Sequence, residues 1–168
     1  MVEWEQRLAD LWSTIDDHTE QDFLNKMELL VAELPANSAV AAFERAGSLD
    51  STGHSNRAVP LYRQALELGL DGQRRRQAVI QMASSLRNLG QASESVALLT
   101  AERERESDDL DDAVSATLAL ALVDCGRERE AVSVAVTALS RHLTRYRRSM
   151  TRYARLIADP PSTDTPSS

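Results

Sequence analysis

The sequence predicts an all-α fold, a solenoid of antiparallel helical hairpins with about eight or nine helices. Apolar residues make up 42% of the chain and aromatic residues only 4%, and Ala and Leu, both strong helix formers, dominate. Glycines recur at Gly53, Gly90 and Gly126, 37 and 36 residues apart. A fixed period of this length is typical of stacked helical hairpins.

A small–large–small pattern follows each of these glycines and marks the second helix of each hairpin. Small residues are needed where two helices cross closely, and the large residue between them fills the space against the next hairpin. The three sets at this spacing are Ala58, Tyr62 and Ala65, then Ser95, Leu99 and Glu102, then Ala131, Ala135 and Ala138, and Glu102 does not match the last small position.

The region before the first repeat, residues 1–36, predicts a divergent N-terminal helical pair. Two apolar stripes at helical spacing, one starting at Trp4 and one at Phe23, identify the helices. Thr19 is placed to cap the second helix, and Pro35 ends it, because the residue before a proline is pushed out of helical geometry. Terminal repeats of such arrays are often atypical.

Residues 37–142 predict three repeats, with Ser38 as a candidate N-cap and a helix break around Ser140–Thr144. A last amphipathic helix within 143–158 is expected to cap the stack, with its apolar stripe against the core. That stripe is Leu143, Tyr146, Met150, Tyr153 and Ile157. We therefore expect one domain over 1–158 and a disordered tail over 159–168, which holds no core residues.

These features resemble the tetratricopeptide repeat family, and the bacterial subgroup with slightly long repeats in particular. The family's small residue in the first helix of each hairpin matches Ala46, Ala83 and Ala119, each seven residues before its glycine. The resemblance implies a right-handed superhelix. It also implies a non-catalytic scaffold for protein–protein interaction that binds a peptide or protein segment in its concave groove.

The family lines that groove with the first helix of each hairpin. Carried over to this chain, the pattern gives Phe43, Asp50, Gln77, Ile80, Ser84, Arg87, Asn88, Leu120 and Asp124. Gly47, Ser84 and Leu120 replace the asparagine with which some relatives grip a C-terminal carboxylate. Arg87 and Asn88 are the preferred candidates, since a guanidinium and an amide can hold a peptide backbone or an acid. Pairing of Arg87 with Asp50 or Asp124 is the structural alternative.

A basic cluster near the end of the chain offers a second surface. Its arginines are Arg145, Arg147, Arg148, Arg152 and Arg155. They predict either a solvated helix face or a patch for an anionic ligand or nucleic acid. Nucleic acid is disfavoured by the net charge of −7. An adaptor or regulatory subunit acting as a homo-oligomer, for instance a homodimer, is a further alternative.

Nothing in the sequence predicts an enzyme, a cofactor or a metal site. The three histidines lie far apart, and Cys125 has no histidine beside it, so neither a ligand set nor a nucleophile is indicated. One cysteine fits a reducing compartment. No apolar run is long enough to span a bilayer, and the N-terminus lacks a signal-peptide pattern, so a cytoplasmic location is expected.

Overall fold

The computed structural model describes residues 2–105 and 107–159. Within these ranges the chain forms nine α-helices and one short 3₁₀-helix, with no strand. Consecutive helices pack against each other within two compact units, one ending at Gly90 and the other starting at Gln91. The predicted all-α class and the stacking expected of a helical-repeat solenoid are confirmed. A single domain over 1–158 stays a prediction.

The first unit contains five α-helices. They are α1 (Val2–Ser13), α2 (Glu20–Val31), α3 (Ala39–Ser51), α4 (Ser55–Glu67) and α5 (Gly72–Asn88), with the 3₁₀-helix Ile15–Asp17 between α1 and α2. The predicted caps are present, because the hydroxyls of Thr19 and Ser38 accept hydrogen bonds from backbone N–H groups three residues on, both at 3.2 Å. Gly53 turns the chain between α3 and α4 with φ of +87°, a conformation that side chains with a Cβ rarely adopt.

The core of the first unit joins the N-terminal pair to the first repeat. Trp4, Phe23 and Met27 are buried, and the indole Nε1 of Trp4 donates to the carbonyl oxygen of Leu30 at 2.9 Å. The small position Ala58 is fully buried where α4 packs against α3. The N-terminal helices are therefore part of the same stack, as expected of an atypical terminal repeat.

A polar hub around Asp50 ties together α3, α4 and α5. Its carboxylate accepts hydrogen bonds from Ser85 Oγ at 2.6 Å, from Ser55 Oγ at 3.1 Å and from Tyr62 Oη at 3.4 Å. Gln81 Oε1 lies 3.1 Å from Tyr62 Oη, so the single hydroxyl proton of Tyr62 is shared between two acceptors, Asp50 and Gln81. Burial and the neighbouring Asp50 carboxylate raise the pKa of Tyr62, so its hydroxyl stays a donor.

The second unit contains the remaining four helices. They are α6 (Ala92–Arg103), α7 (Asp111–Asp124), α8 (Glu128–Ser140) and α9 (Arg147–Ala158). Each packs against the next, and Leu99, Val114, Leu118 and the small position Ala131 are buried. The predicted break after Ser140 is confirmed. Asp159 follows α9, and the rest of the predicted tail, 160–168, lies outside the described residues.

The predicted core stripe of the last helix is wrong in part. Tyr146 is 74% exposed and lies outside α9 with φ of +67°, and Tyr153 is 54% exposed. The residue buried completely is Ala154, and Ser140 Oγ of α8 meets Thr151 Oγ1 of α9 at 2.9 Å. Small side chains let α9 lie close to α8, so the helix turns the small residue inward and Tyr153 outward.

Candidate partner-binding groove

A groove of about 740 Å³ lies in the first unit, between helices α1, α3 and α5. In the predicted repeat pattern these are the first helices of successive hairpins, the position that the resemblance gives to the groove wall. Its apolar lining comes mainly from α1 and α3 and consists of Leu8, Ala9, Trp12, Val40 and Phe43, together with Leu70 from the loop before α5. A volume of this size accepts a small ligand or a few large side chains of a partner.

Trp12 forms one side of the groove and is only half-buried. Its ring meets Phe23 edge to face, with centroids 5.2 Å apart, and its Nε1 donates to Glu44 Oε2 at 2.9 Å. The benzo edge lies over Gly47, where an added Cβ would stand 3.4 Å from Trp12 Cζ2. The indole therefore covers the surface of α3 at Gly47.

A carboxylate–guanidinium network crosses the groove beside Trp12. Arg74 Nε donates to Glu44 Oε1 at 3.2 Å, while Arg74 Nη1 and Nη2 donate to the two oxygens of Glu5 at 3.1 and 2.5 Å. The network joins α1, α3 and α5, so it fixes the walls of the groove relative to one another. A guanidinium shared by two carboxylates has little capacity left to bind an acidic ligand.

Glu44 is the buried member of this network, with only 4% of its surface exposed. Burial raises the pKa of Glu44, and the hydrogen bond from Trp12 and the charge of Arg74 oppose that rise. Arg74 has a raised pKa, chiefly through its hydrogen bonds to Glu5. The buried carboxylate thus depends on Trp12 and Arg74 for its compensation.

The charged side chains that line the groove are mostly acidic. Glu5, Glu44 and Asp71 face a single cation, Arg74. The groove therefore favours a ligand with cationic and aromatic or apolar side chains.

The structure separates the residues predicted for the groove. Phe43 and Gln77 line it, whereas Asp50 belongs to the polar hub. Four more predicted residues lie on α5 without lining this groove, namely the half-buried Ile80, Ser84 and Arg87 and the exposed Asn88. Leu120 and Asp124 are exposed on α7 in the second unit. A role for these six residues in binding stays a prediction.

Sequence reasoning missed Glu5, Trp12, Glu44 and Arg74. One signal was available, since Glu44 follows Ala41, Ala42 and Phe43 on a helix that is otherwise apolar at this point. A charged residue on a buried face needs a partner, and that requirement could have directed attention to a nearby cation.

The outer face of α9 is a second surface with unusual chemistry. Arg148, Arg152 and Arg155 are exposed beside Tyr153 and Leu156. Arg145 is exposed ahead of the helix, and Arg147 Nη2 donates to the carbonyl oxygen of Arg141 at 2.6 Å. The predicted basic patch is thus mixed with aromatic and apolar surface.

Among the described residues, no group of three or more His, Cys, Asp or Glu side chains is arranged to hold a metal ion. His54 pairs with Glu20 at 2.6 Å and His142 with Asp112 at 2.7 Å, in different units. Cys125 is a half-buried free thiol. No helix in the described part of the chain is both long and apolar enough to cross a membrane.

Comparison with known families decides the family. A family model described as "Tetratrico peptide repeat" matches residues 39–157, well over half of the chain. The chain belongs to the tetratricopeptide repeat family. Tetratricopeptide repeats generally mediate protein–protein interactions. No curated protein and no solved structure shows a significant match.

The tetratricopeptide match starts after α2, so Glu5 and Trp12 lie in the part of the groove that precedes it.

Proposed function

We propose that the chain is a non-catalytic interaction scaffold that binds a segment of a protein partner in the groove between α1, α3 and α5. The observation that carries this proposal is the half-buried Trp12 in an open, acidic groove. Partly exposed Trp side chains in concave surfaces are frequent anchors of protein interfaces, because they offer a large area at low entropic cost.

The network of Glu5, Glu44 and Arg74 supports the same proposal. It holds the groove walls in place before any ligand arrives, so a ligand does not have to order them. Phe43 adds apolar surface to the floor, and its ring lies 6.2 Å from that of Tyr62. A peptide with an apolar or aromatic side chain next to a cationic one is the ligand that suits these groups.

Trp12 also provides the measurement. The chain has two tryptophans, so replacing the buried Trp4 with Phe leaves Trp12 as the only indole. Peptides selected from a random display library against the full chain would be titrated into this variant, with Trp12 fluorescence as the readout. We expect selected peptides to be basic and to shift the emission.

Two matched variants test the site. Gln77→Arg places a cation in the groove lining, whereas Gln64→Arg makes the same change on an exposed position of α4 outside it. We expect Gln77→Arg to weaken peptide binding at least tenfold, about 1.4 kcal/mol, and Gln64→Arg to leave it unchanged. Equal effects of the two changes, or peptides that bind without moving Trp12 emission, would refute the groove as the site.

A second candidate function is the binding of an anionic partner at the outer face of α9. The exposed Arg148 and Arg152 beside Tyr153 favour it. Binding of a single-stranded RNA oligonucleotide that weakens steeply with salt and is lost in Arg148→Ala/Arg152→Ala would support nucleic acid as that partner. Salt-independent or unaffected binding would count against it.

A further inference from the structure

We infer that the acidic groove of the first unit binds the outer face of α9 from a second copy of this chain. This inference rests on the proposed function, because it names the occupant of the same groove. It also assigns the basic patch a carboxylate-bearing partner.

The arginines of α9 differ from others of the chain in their pairing. Arg7, Arg45 and Arg127 form ion pairs with Glu33, Glu28 and Glu130 at 2.6, 2.6 and 2.7 Å. Within residues 2–105 and 107–159, Arg148, Arg152 and Arg155 have no carboxylate partner, although the chain has seven more acidic than basic residues. These guanidinium groups are therefore available to carboxylates outside their own unit.

Apolar and aromatic side chains accompany these arginines. Leu156 follows Arg152 by four positions and Tyr153 by three, the spacings that make side chains neighbours on a helix, and Leu156 is 41% exposed. Tyr146 lies exposed just before the helix with a positive φ, a conformation that is uncommon for a residue other than glycine. Together they form a short amphipathic face whose anchors are two aromatic rings, one aliphatic side chain and the arginine cations.

The groove has the opposite charge and a matching apolar floor. Glu5, Glu44 and Asp71 outnumber Arg74, whose guanidinium already contacts Glu5 and Glu44. Its volume of about 740 Å³ suits several side chains projecting from a helix rather than a whole helix. A helix laid across the groove could insert Tyr153 or Leu156 towards the apolar floor, with its arginines at the acidic rim.

Nucleic acid and anionic membranes are weaker candidates for the same face. Proteins that bind them usually carry a strong positive charge over the domain, whereas this chain has a net charge of −7 and a pI of about 5.0. An acidic groove with an apolar floor complements both the arginines and the apolar side chains of α9, and every copy of the chain carries such a groove.

Sedimentation velocity of the full chain over about 1–300 µM tests the inference, a range that covers weak to moderate association. We expect the sedimentation coefficient to rise with concentration. Arg152→Glu and the groove change Asp71→Lys should each weaken self-association at least tenfold. The matched control Arg57→Glu reverses one exposed arginine on α4 and should have no effect.

Mixing the two variants gives the sharpest result. A chain with Asp71→Lys keeps an intact α9, and a chain with Arg152→Glu keeps an intact groove, so the mixture retains one wild-type pair of surfaces. We expect the mixture to associate although neither variant does so alone. Circular dichroism of each variant checks that it is folded.

Several outcomes would overturn the inference. They are a sedimentation coefficient that is constant with concentration, an equal effect of Arg57→Glu, or no association in the mixture. Binding of single-stranded RNA or phosphatidylserine vesicles that Arg152→Glu abolishes in a monomeric chain would also overturn it. Library peptides that still shift Trp12 emission in a monomeric chain would leave the proposed function intact. Failure of both experiments would refute both the self-association and the proposed function.

Discussion

The substitution Asp50→Ala tests whether Asp50 stabilises the fold or binds a partner. Sequence reasoning placed Asp50 in the groove, whereas the structure places it in a polar hub. The change removes the acceptor for Ser85, Ser55 and Tyr62 at once. Asp50 does not line the groove, so a folded variant should keep its affinity for groove peptides.

The expected loss of stability can be worked from these contacts. Ser85 is fully buried, and its 2.6 Å bond to the carboxylate is a charge-assisted one, typically about 1.5–3 kcal/mol. The bond from Ser55 is longer and in a less buried place, and Tyr62 retains Gln81 as an acceptor. We therefore expect Asp50→Ala to lower the free energy of unfolding by about 2–3 kcal/mol.

Urea titration followed by tryptophan fluorescence is the appropriate assay. Trp4 and Trp12 both lie in the first unit, so their emission reports the unfolding of the unit that contains Asp50. Asp50→Asn, which keeps one acceptor oxygen without the charge, should lose about half as much stability as Asp50→Ala.

A double-mutant cycle with Ser85→Ala provides the control. Removing both partners leaves no Ser85 hydroxyl without an acceptor, so the double variant should be more stable than the sum of the single changes predicts, by about 1–2 kcal/mol. A loss below about 0.5 kcal/mol for Asp50→Ala, or strictly additive changes in the cycle, would contradict the hub as described.

Three further substitutions test other parts of the molecule. Gly47→Ala should raise the stability of the first unit by about 0.5–1 kcal/mol in the same urea titration, because a Cβ there would meet Trp12 at an ordinary distance of 3.4 Å; a loss would show that the indole cannot accommodate it. The pKa of Glu44 is raised above its ordinary 4.5 in the folded chain. Protonation of Glu44 as the pH falls through the folded-state pKa towards 4.5 therefore stabilises the fold, whereas the ionised side chain at neutral pH is least favourable. Glu44→Gln should therefore gain stability relative to the wild type as the pH rises from about 4.5 to 7, measured by urea titration at each pH, and a flat difference would contradict the assignment. Ala131→Leu should overpack the contact around α8 and cost about 1–3 kcal/mol, measured by thermal unfolding with far-ultraviolet circular dichroism, and an unchanged melting curve would show that the repeat register is misassigned.

Much of the fold could be predicted because its signals are local. Gly53 and Gly126 adopt positive φ at the predicted turns, and Thr19 and Ser38 cap the helices that they precede. Each of these features depends on a few neighbouring residues, so a single sequence reveals them.

The site could be predicted only in part, because its contacts are not local. Phe43 and Gln77 follow from the repeat pattern, but the meeting of Glu5 with Arg74 depends on how α1 packs against α3 and α5. Periodicity likewise identifies α9 as amphipathic, but it does not decide whether Ala154 or Tyr153 faces α8. Because side chains pack closely between the helices, the smaller residue, Ala154, is the buried one.

The hydrogen bonds that cross the groove also bear on the order in which the chain acquires its parts. Glu5 and Arg74 are 69 positions apart, whereas most contacts in a stacked hairpin array join near neighbours. A chain made from its N-terminus completes α1 first and receives Arg74 only when α5 is made. Before that point Glu44 has Trp12 as a donor but no cation, so the groove acquires its final shape only with the second repeat. A nascent chain that ends before α5 therefore presents α1 to α4 but not the complete groove.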